Sequence, residues 1–531
     1  MDEKESEMGK INLLDCTLRD GGYVNDWAFG EEAIKGFIDK IAKTNIEIVE
    51  MGFMRGDVYN KDKSLYPDLD AVKNVIINRN ENLKYFAMYD VSNPIPIERF
   101  TKCDNLSLDG VRVIFKKSKL EEGLSVSKKL IDLGYLVSVN FVSTDVYTDE
   151  EYINALKKVN ELKPYAIAVV DTFGSMKNDK FMHYIKLSDK YLDKNIVLSY
   201  HAHNNLQQAY TNATSFAELK LDRDIIIDAS VFGMGRGAGN LNLELFAEYM
   251  NEHFKTNYHI VPMLEIMDEY LQDIYNSKFW GYSLPLYISG TLNVHPNYAI
   301  YMAERGTLTE KSLYEILKNI TKEDSQVYKK EIAEKYYLEY QGSSIDDKND
   351  IEKLREVFKG RDALLLAPGR SINKAKDNIV NIINDKNVIS ISVNFYKEEF
   401  KTDFLFSSNM RRYGRLDGKY DVKPITTSNM KEAINKGYVI NFYSIAAENK
   451  DIIDNAGLMV IKLLIRLGVK KVMLAGMDGY NATNPYVYAD ENTHYDFSKD
   501  ATNRNDLIKK AISDFRKQIN IEFVTESLYN S

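Results

Sequence analysis

The sequence predicts an α/β protein in which a (β/α)8 barrel is followed by a helical segment and a second α/β domain. From Ile11 onward, short apolar runs alternate with longer helical patterns, and eight such units fit into about 230 residues. Polar side chains recur at the carboxyl ends of these runs, which is the face where a barrel gathers its active site. Spacing alone leaves an open doubly wound sheet as the alternative.

The strand candidates of the barrel are short, and several are almost continuously hydrophobic, which is typical of parallel strands covered on both faces. They are Ile11–Asp15, Ile46–Phe53, Leu83–Tyr89, Gly110–Phe115, Leu136–Val142, Ala166–Asp171, Ile196–His201 and Ile225–Phe232. Helical patterns lie between them, among them Glu31–Lys43, Leu120–Leu133 and Asp149–Leu162.

The rest of the chain predicts helices and then a second alternating region. The helices are Met263–Ser277, Ser312–Thr321 and Tyr328–Tyr337, and a polar linker candidate starts at Gly342. The later strands are Ala363–Ala367, Val388–Val393, Phe404–Ser407, Val439–Tyr443, Lys471–Ala475 and Ile521–Val524. We therefore expect a disordered segment 1–9, a barrel 10–300, a helical extension and linker 301–355, and an α/β domain 356–531.

Composition excludes several classes of function. The 531 residues carry a net charge of −9, which gives no general attraction to nucleic acid. The N-terminus has no apolar signal core and no run reaches the length of a membrane span, so we expect a cytoplasmic protein. Two cysteines, Cys16 and Cys103, cannot form a disulfide framework or a thiolate metal site.

Two histidines at the end of a barrel strand indicate a metal site. Residues i and i+2 of a strand point to the same face, so His201 and His203 can offer two imidazoles to one point. Asp20, after the first strand, can add a carboxylate, and this set leaves coordination positions open for substrate and water. Asn240 can contribute an amide oxygen or a hydrogen bond to a ligand.

An arginine beside such a metal suits the stabilisation of an enolate. Arg19 immediately precedes Asp20, and its guanidinium can balance negative charge on the enolate oxygen of a 2-oxo acid. Glu50, at the end of the second strand, can orient Arg19 through a hydrogen-bonded pair, although a surface charge at a strand end is the equally simple interpretation.

These residues resemble the DRE-TIM metallolyases, which include 4-hydroxy-2-oxovalerate aldolase, 3-hydroxy-3-methylglutaryl-CoA lyase, isopropylmalate synthase and homocitrate synthase. The resemblance is carried by Thr17-Leu-Arg-Asp-Gly, Glu50-Met-Gly-Phe, Asp171-Thr-Phe-Gly, His201-Ala-His-Asn and Gly233-Met-Gly-Arg-Gly-Ala-Gly-Asn. It implies a TIM barrel with Mg²⁺ or Mn²⁺ held by Asp20, His201 and His203, and a catalytic Arg19.

One departure from the family leaves the proton carrier open. The pyruvate aldolases of the family carry a histidine two residues after Arg-Asp-Gly, where this chain has Tyr23. His295 is the first candidate for the acid/base role, followed by Tyr23 and Tyr287. A tyrosine would need a lowered pKa or a partner to work as a base near neutral pH.

The C-terminal region resembles the bacterial sialyltransferase and motility-associated glycosyltransferase group. The motifs are Leu366-Ala-Pro-Gly-Arg-Ser-Ile, Ser390-Ile-Ser-Val-Asn-Phe-Tyr, Ala456-Gly-Leu-Met and Leu474-Ala-Gly-Met-Asp-Gly-Tyr. The resemblance implies a Rossmann-like fold that binds a nucleotide or nucleotide-sugar through Gly369, Ser371, Asn394 and Asp478. Phe497 stands where that group has a histidine base, so we expect binding rather than glycosyl transfer. A structural or dimerising domain is the alternative.

Three hypotheses for function follow. The first is a metal-dependent aldolase that joins or splits a 2-oxo acid, such as pyruvate, and an aldehyde. The aldehyde is sugar-derived or nucleotide-linked, and the enzyme acts in surface-polysaccharide synthesis. A bifunctional aldolase–glycosyltransferase-like protein is a form of this hypothesis. The second is a Claisen-type synthase that condenses an acyl-CoA with a 2-oxo acid. The third is a binding module in which the barrel is only a scaffold. A homo-oligomer is expected for the enzyme.

Overall fold

The computed structural model describes residues 8–342, 344–430, 433, 437–481 and 501–530. The chain falls into two compact units that divide between Ala299 and Ile300, and each is described by itself. Among the described residues, no helix is both long enough and apolar enough to cross a membrane.

The first unit is a closed barrel of eight parallel strands, as the alternation of apolar runs predicted. A two-residue strand, β3, is added to the sheet beside β2, and the barrel closes where β1 pairs with β2. The strands are β1 (Ile11–Asp15), β2 (Ile48–Met54), β3 (Leu65–Tyr66), β4 (Lys84–Asp90), β5 (Gly110–Phe115), β6 (Leu136–Phe141), β7 (Ala166–Asp171), β8 (Val197–Ala202) and β9 (Ile225–Ala229).

Helices cover the outside of this barrel because their apolar residues recur on one face. In α2, for example, Ile34, Phe37, Ile38 and Ile41 are buried at the spacing of a helical stripe. The helices of the first unit are α1 (Gly22–Asn25), α2 (Glu31–Ile41), α3 (Leu69–Lys73), α4 (Leu120–Asp132), α5 (Asp149–Leu162), α6 (Asn178–Tyr191), α7 (Ala209–Ala217), α8 (Leu243–Phe254), α9 (Val261–Ile266), α10 (Gln272–Ser277) and α11 (Leu284–Leu292). A further helix, α12 (Pro296–Glu304), contains the division between the two units.

The interior of the barrel has an apolar floor and a charged layer. Six strands contribute to the floor, with Leu14, Ile48, Phe86, Ala166, Val197 and Ile226. The charged layer contains Glu50, Arg112 and Asp228, none of them more than 2% exposed. Arg112 donates to Glu50 at 3.0 Å and also to Asp228. Buried charges are tolerated when they are paired in this way.

The described residues of the second unit form seven parallel strands in the order β14-β13-β12-β11-β10-β15-β16. The chain order reverses next to β10, as in a doubly wound, Rossmann-like sheet. The strands are β10 (Asp362–Leu366), β11 (Val388–Val393), β12 (Phe404–Ser407), β13 (Lys423–Thr427), β14 (Tyr438–Ile440), β15 (Lys471–Ala475) and β16 (Asn520–Phe523).

Helices precede this sheet and connect its strands. They are α13 (Glu310–Lys318), α14 (Lys322–Ser325), α15 (Lys330–Gln341), α16 (Lys348–Phe358), α17 (Ser371–Lys374), α18 (Lys376–Ile383), α19 (Met410–Leu416), α20 (Phe442–Ile445), α21 (Ala456–Leu467) and α22 (Ala501–Phe515). The helices predicted between the two domains, α13 and α15, therefore belong to the second compact unit.

Two predicted strands are shorter than expected, and one predicted helix is formed but is not α-helical throughout. The run Val439–Tyr443 is a strand only to Ile440, because α20 starts at Phe442. The run Ile225–Phe232 leaves the sheet after Ala229 and forms a 3₁₀ turn at Val231–Gly233. The helix expected over Met263–Ser277 contains a π-helical segment, Met267–Leu271, between α9 and α10.

Candidate metal centre

Three buried side chains from distant parts of the chain present ligand atoms to one point. Asp20 lies in a π-helix, Thr17–Gly21, that follows β1, while His201 lies in β8 and His203 directly after it. One ligand atom of each residue lies within 4.8 Å of the others. The structure therefore brings together the three residues that the sequence predicted as metal ligands.

Several buried acceptor atoms in this cluster have no hydrogen-bond partner among the described residues. They are Oδ2 of Asp20, Nδ1 of His203 and Oδ1 of Asn240. The first two atoms lie 3.6 Å apart, and the backbones of His203 and Asn240 pair in an isolated bridge. An unpaired buried acceptor costs about 1–3 kcal/mol. A divalent cation would satisfy all three at once, so oxygen and imidazole donors here fit a metal ion.

The charge states of the ligands also fit a cation. Burial raises the pKa of Asp20, but the guanidinium of Arg19 outweighs this effect and holds the pKa below its usual range. Burial lowers the pKa of His203 to about 3, so its imidazole is neutral at pH 7 and keeps a free lone pair. A metal requires deprotonated ligands, and both residues are in that state at neutral pH.

Arg19 lies beside this set and is held there by two carboxylates. Its Nε donates to Glu50 at 2.8 Å, its Nη1 donates to Asp20, and its Nη2 lies 3.5 Å from Nε2 of His201. Burial opposes the charge of Arg19, but Glu50 and Asp20 outweigh it and keep its pKa well above the usual range. Arg19 is therefore a fixed cation, and Glu50 has the orienting position that the sequence suggested.

Two residues of the site were missed by the sequence analysis. Asp228 accepts from Nδ1 of His201 at 3.0 Å, which leaves Nε2 of His201 for the centre of the cluster. Arg112 donates to both Asp228 and Glu50, so a single guanidinium links the two carboxylates that orient His201 and Arg19. Such partners fix the tautomer and direction of a metal-binding imidazole.

A signal for these two residues was present in the sequence. Each is the lone charged residue of an otherwise apolar strand, Gly-Val-Arg-Val-Ile-Phe for Arg112 and Ile-Ile-Ile-Asp-Ala for Asp228. A charge that must be buried needs a partner of opposite sign. Spacing along the chain could not show that these two are partners, because they are 116 residues apart.

Tyr23, Arg236 and His295 form a second group near the metal ligands. Arg236 lies on the glycine-rich segment, residues 233–240, which follows β9. Its Cζ lies 5.7 Å from the centre of the Tyr23 ring, and its Nη2 lies against Nε2 of His295. Residue Gly235, next to Arg236, lies so close to Asp20 that a Cβ there would be 2.8 Å from Oδ2. Arg236 therefore adjoins the metal cluster on the side of the glycine-rich segment.

The two candidate proton carriers in this group differ in charge state. Burial, together with the positive charges of Arg236 and Lys116, lowers the pKa of His295 to about 2, so this imidazole is neutral. Tyr23 is 43% exposed, yet loss of solvent raises its pKa; Arg236 lowers it and Asp20 raises it. A tyrosine with a raised pKa keeps its proton at pH 7 and can donate it. The lowered pKa that a tyrosine base would need is not found.

Tyr287, the third candidate, faces a different space. It is 43% exposed, in α11. It lines a cavity of about 460 Å³ with polar residues that include Asp145, Lys180 and Asn293, and the lining contains none of the predicted metal ligands. The structure therefore does not bring Tyr287 together with the metal cluster.

Three of the four residues predicted to bind a nucleotide meet next to β10 in the second unit. Asp478 accepts from the backbone N–H of Ser371 at 2.9 Å and from its hydroxyl at 2.5 Å. A Cβ on Gly369 would lie 2.5 Å from the Asp478 carboxylate, so only glycine fits. Asn394 follows β11 and accepts from the Ser407 hydroxyl at 2.9 Å. Phe497 lies outside the described residues.

The fold and this cluster define a class of protein, a parallel (β/α)8 barrel with a candidate divalent-metal site beside a buried arginine. Residues 120–268 match the family model described as HMGL-like. The first unit therefore contains an HMGL-like domain, and the resemblance to the DRE-TIM metallolyases is confirmed for it. The resemblance suggested for the second unit stays a prediction.

The sequence of the chain is similar to those of two named enzymes, and its fold is similar to that of a third protein. The chain is 21% identical over 245 residues to an oxaloacetate decarboxylase of Mycobacterium tuberculosis, covering 44% of this chain and 67% of that protein. It is 28% identical over 267 residues to a 4-hydroxy-2-oxovalerate aldolase of Pseudoalteromonas translucida, covering 49% and 74%. A structure of Rhizobium etli pyruvate carboxylase T882A with acetyl coenzyme A aligns with a TM-score of 0.50 at 13% identity. The alignment covers 67% of this chain and 34% of that one, and it shows a similarity of fold alone.

Proposed function

We propose that the first unit is a divalent-metal-dependent carbon–carbon lyase or aldolase that generates the enolate of a 2-oxo acid. The observation that carries this proposal is the meeting of three unpartnered buried acceptors, on Asp20, His203 and Asn240, beside the fixed cation of Arg19. Decarboxylation of oxaloacetate and cleavage of 4-hydroxy-2-oxovalerate both leave the enolate of pyruvate, so the names of the two relatives support the same intermediate.

Asp20, His201 and His203, with Asn240, would hold Mg²⁺ or Mn²⁺. When bound, the cation supplies a Lewis acid for the keto and carboxylate oxygens of the 2-oxo acid. Arg19 places a positive charge where the enolate oxygen develops its negative charge, and Glu50 keeps the guanidinium in that position. Because Arg19 is only 3% exposed, little water competes for it.

Tyr23 is the proton donor that we propose for the aldol direction. The enolate carbon forms a bond to the aldehyde carbon while the π bond of the aldehyde carbonyl breaks. The resulting alkoxide oxygen takes the proton of the Tyr23 hydroxyl, which is left as a tyrosinate and regains a proton from water. Asp20 and Arg19 both act electrostatically on Tyr23, whereas the charges that act on His295 are those of Arg236 and Lys116. We expect Tyr23→Phe to lower kcat for aldol formation about 10²- to 10⁴-fold and His295→Gln to lower it less.

Exchange of the pyruvate methyl protons tests the enolate directly. Incubation with pyruvate and Mn²⁺ in D₂O should replace methyl protons with deuterium, followed by proton NMR, and a chelator should stop it. Asp20→Asn and His203→Ala should abolish exchange, whereas Asp222→Asn, an exposed residue paired with Lys194, should exchange like the wild type. Exchange that survives both the chelator and Asp20→Asn would refute the proposal.

For the second unit we propose binding of a nucleotide or nucleotide-sugar at the carboxyl ends of β10 and β15. The reversal of strand order next to β10 supports a ligand site there. The Ser371 N–H already donates to Asp478, so it is not free to bind a phosphate. The Asp478 carboxylate can accept from sugar hydroxyls, whereas it repels a phosphate. Calorimetric titration with a panel of nucleotides and nucleotide-sugars tests this, and Asp478→Asn should weaken the binding that is found.

A further inference from the structure

Arg236 is a largely desolvated cation without a carboxylate partner among the residues that the structure describes. Its contacts there are the ring of Tyr23 and the imidazole of His295. The more deeply buried arginines of the same unit are all paired: Arg19 with Glu50, Arg112 with Asp228, and Arg223 with Asp189. Arg236 therefore differs from these three arginines, each of which is paired with a carboxylate.

An uncompensated cation is costly to keep out of water. Burial lowers the pKa of Arg236 below its usual value, and the opposing electrostatic effects of Tyr23 and Asp20 are too small to restore it. A neutral imidazole and an aromatic face can contact a guanidinium, but neither neutralises its charge. An anion that enters with a ligand would neutralise it and would gain charge-assisted hydrogen bonds in a partly desolvated place.

A second cation follows a barrel strand at the same end of the barrel. Lys116 directly follows β5, is exposed, and has no ion pair with a described carboxylate within 4.0 Å. Lys116 and Arg236 both act on His295, where each lowers the pKa of the imidazole. Two cations from different loops therefore act electrostatically on a neutral histidine, and one of them, Arg236, contacts it directly.

The Arg236 side chain lies nearer to the solvent-exposed opening of the site than Arg19 does. Arg236 packs on Tyr23, which is 43% exposed, whereas Arg19 is 3% exposed. The 2-oxo acid is assigned to Arg19 and the metal ligands, so an anion at Arg236 belongs to the second reactant.

We propose that Arg236 binds an anionic group of the acceptor aldehyde, so that this enzyme prefers an aldehyde bearing a phosphate or a carboxylate over a neutral one. The inference rests on the proposed aldolase function and names its second substrate class. Arg236 is a specificity-determining residue here, and Tyr23 remains the proton donor.

Aldehydes with the same carbon chain but a different charge test the preference. With pyruvate and Mn²⁺, kcat/KM would be compared for glyceraldehyde 3-phosphate, succinic semialdehyde, and the neutral glyceraldehyde and butanal. We expect the preferred anionic aldehyde to exceed its neutral counterpart about 10- to 100-fold, which is the strength of a hydrogen bond to a charged group. A preference for glyceraldehyde 3-phosphate would indicate recognition of a phosphate, and a preference for succinic semialdehyde would indicate recognition of a carboxylate.

The variants separate charge recognition from damage to the site. Arg236→Gln should bring the ratio of anionic to neutral kcat/KM close to one, and Arg236→Lys should retain part of it. The matched control is Arg79→Gln, because Arg79 pairs with Asp109 before β5, at the opposite end of the strands. A ratio that Arg236→Gln leaves unchanged would overturn the proposal, as would a rise in KM for pyruvate alone.

Binding without turnover keeps the test independent of the proposed function. Mn²⁺-loaded wild type would be titrated by calorimetry with glycerol 3-phosphate, succinate and glycerol. At least one anion should bind more tightly than glycerol, and Arg236→Gln should weaken it about 10-fold or more. If no anion binds better than glycerol, the inference fails even where pyruvate exchange succeeds; if anions bind but exchange is absent, the aldolase function fails instead.

Discussion

Asp228 decides which nitrogen of His201 is available at the candidate metal centre. Its carboxylate accepts from Nδ1 at 3.0 Å, so Nε2 faces Arg19 and the remaining ligands. The sequence could predict Asp20, His201 and His203, because parallel strands of a barrel end at one face. It could not predict Asp228, whose role depends on contacts between strands that are far apart in the chain.

Asp228→Asn should therefore weaken metal binding rather than abolish it. We expect the Kd for Mn²⁺ to rise about 10- to 100-fold, as is usual for a partner that orients a metal ligand. Electron paramagnetic resonance of free Mn²⁺ measures this on folded protein.

The control for this change is Ser199→Ala, which removes a weaker contact to the same carboxylate at 3.3 Å. Its effect on the Kd should be small. Because Asp228→Asn also leaves Arg112 without a full counter-charge, the thermal midpoint should fall in that variant. Unchanged Mn²⁺ affinity in a folded Asp228→Asn protein would contradict the orienting role.

At the scale of elements, strands of continuous apolar residues were predictable and local interruptions were not. The run Gly110–Phe115 is a strand with the bounds that its pattern predicted. Strand β13, Lys423–Thr427, was missed because Pro424 argues against a strand inside a sheet. The π-helix Thr17–Gly21 was also not predicted, although it places Arg19 and Asp20 together in the site.

The glycine-rich segment closes against the metal ligands, and this contact can be tested at Gly235. An alanine Cβ there would lie 2.8 Å from Oδ2 of Asp20 and 2.7 Å from Nδ2 of Asn240. Neither side chain can move freely, since both are no more than 1% exposed. We expect Gly235→Ala to raise the Kd for Mn²⁺ at least about 10-fold, because a ligand displaced by a few tenths of an ångström binds poorly.

Gly414→Ala is the matched control for this substitution. Gly414 lies in α19, and a Cβ there would meet no atom within 4 Å. Its Mn²⁺ affinity should equal that of the wild type. If Gly235→Ala also binds Mn²⁺ normally, the segment does not constrain the ligands.

At the scale of the whole barrel, buried carboxyl groups link stability to pH. Asp171 ends β7, is 1% exposed, and accepts from the backbone N–H groups of Ser175 and Met176. Burial outweighs these hydrogen bonds and raises the pKa of Asp171 from its ordinary value of 3.8 to about 7. Burial likewise raises the pKa of Asp15 to about 7.

The sign of the pH effect follows from these raised values. Between about pH 4 and pH 7 the folded protein holds protons on Asp15 and Asp171 that the unfolded chain has released. The free energy of unfolding therefore falls as pH rises through this window, by about 1.4 kcal/mol per pH unit for each carboxyl, and levels off above pH 7.

Asp171→Asn removes one of the two contributions and should flatten the profile. Urea unfolding with a chelator present, at pH 5, 6 and 7, gives the free energy of unfolding for both proteins. The wild type should lose about 2 kcal/mol more than the variant between pH 5 and pH 7. Asn cannot accept from both N–H groups as a carboxyl group does, so the variant starts from a lower stability at pH 5. The protonation of Asp171 is measured by the difference between the two proteins in how the free energy of unfolding changes with pH, not by their difference at one pH. Parallel pH profiles would show that this carboxyl group is already ionised in the folded barrel at pH 5.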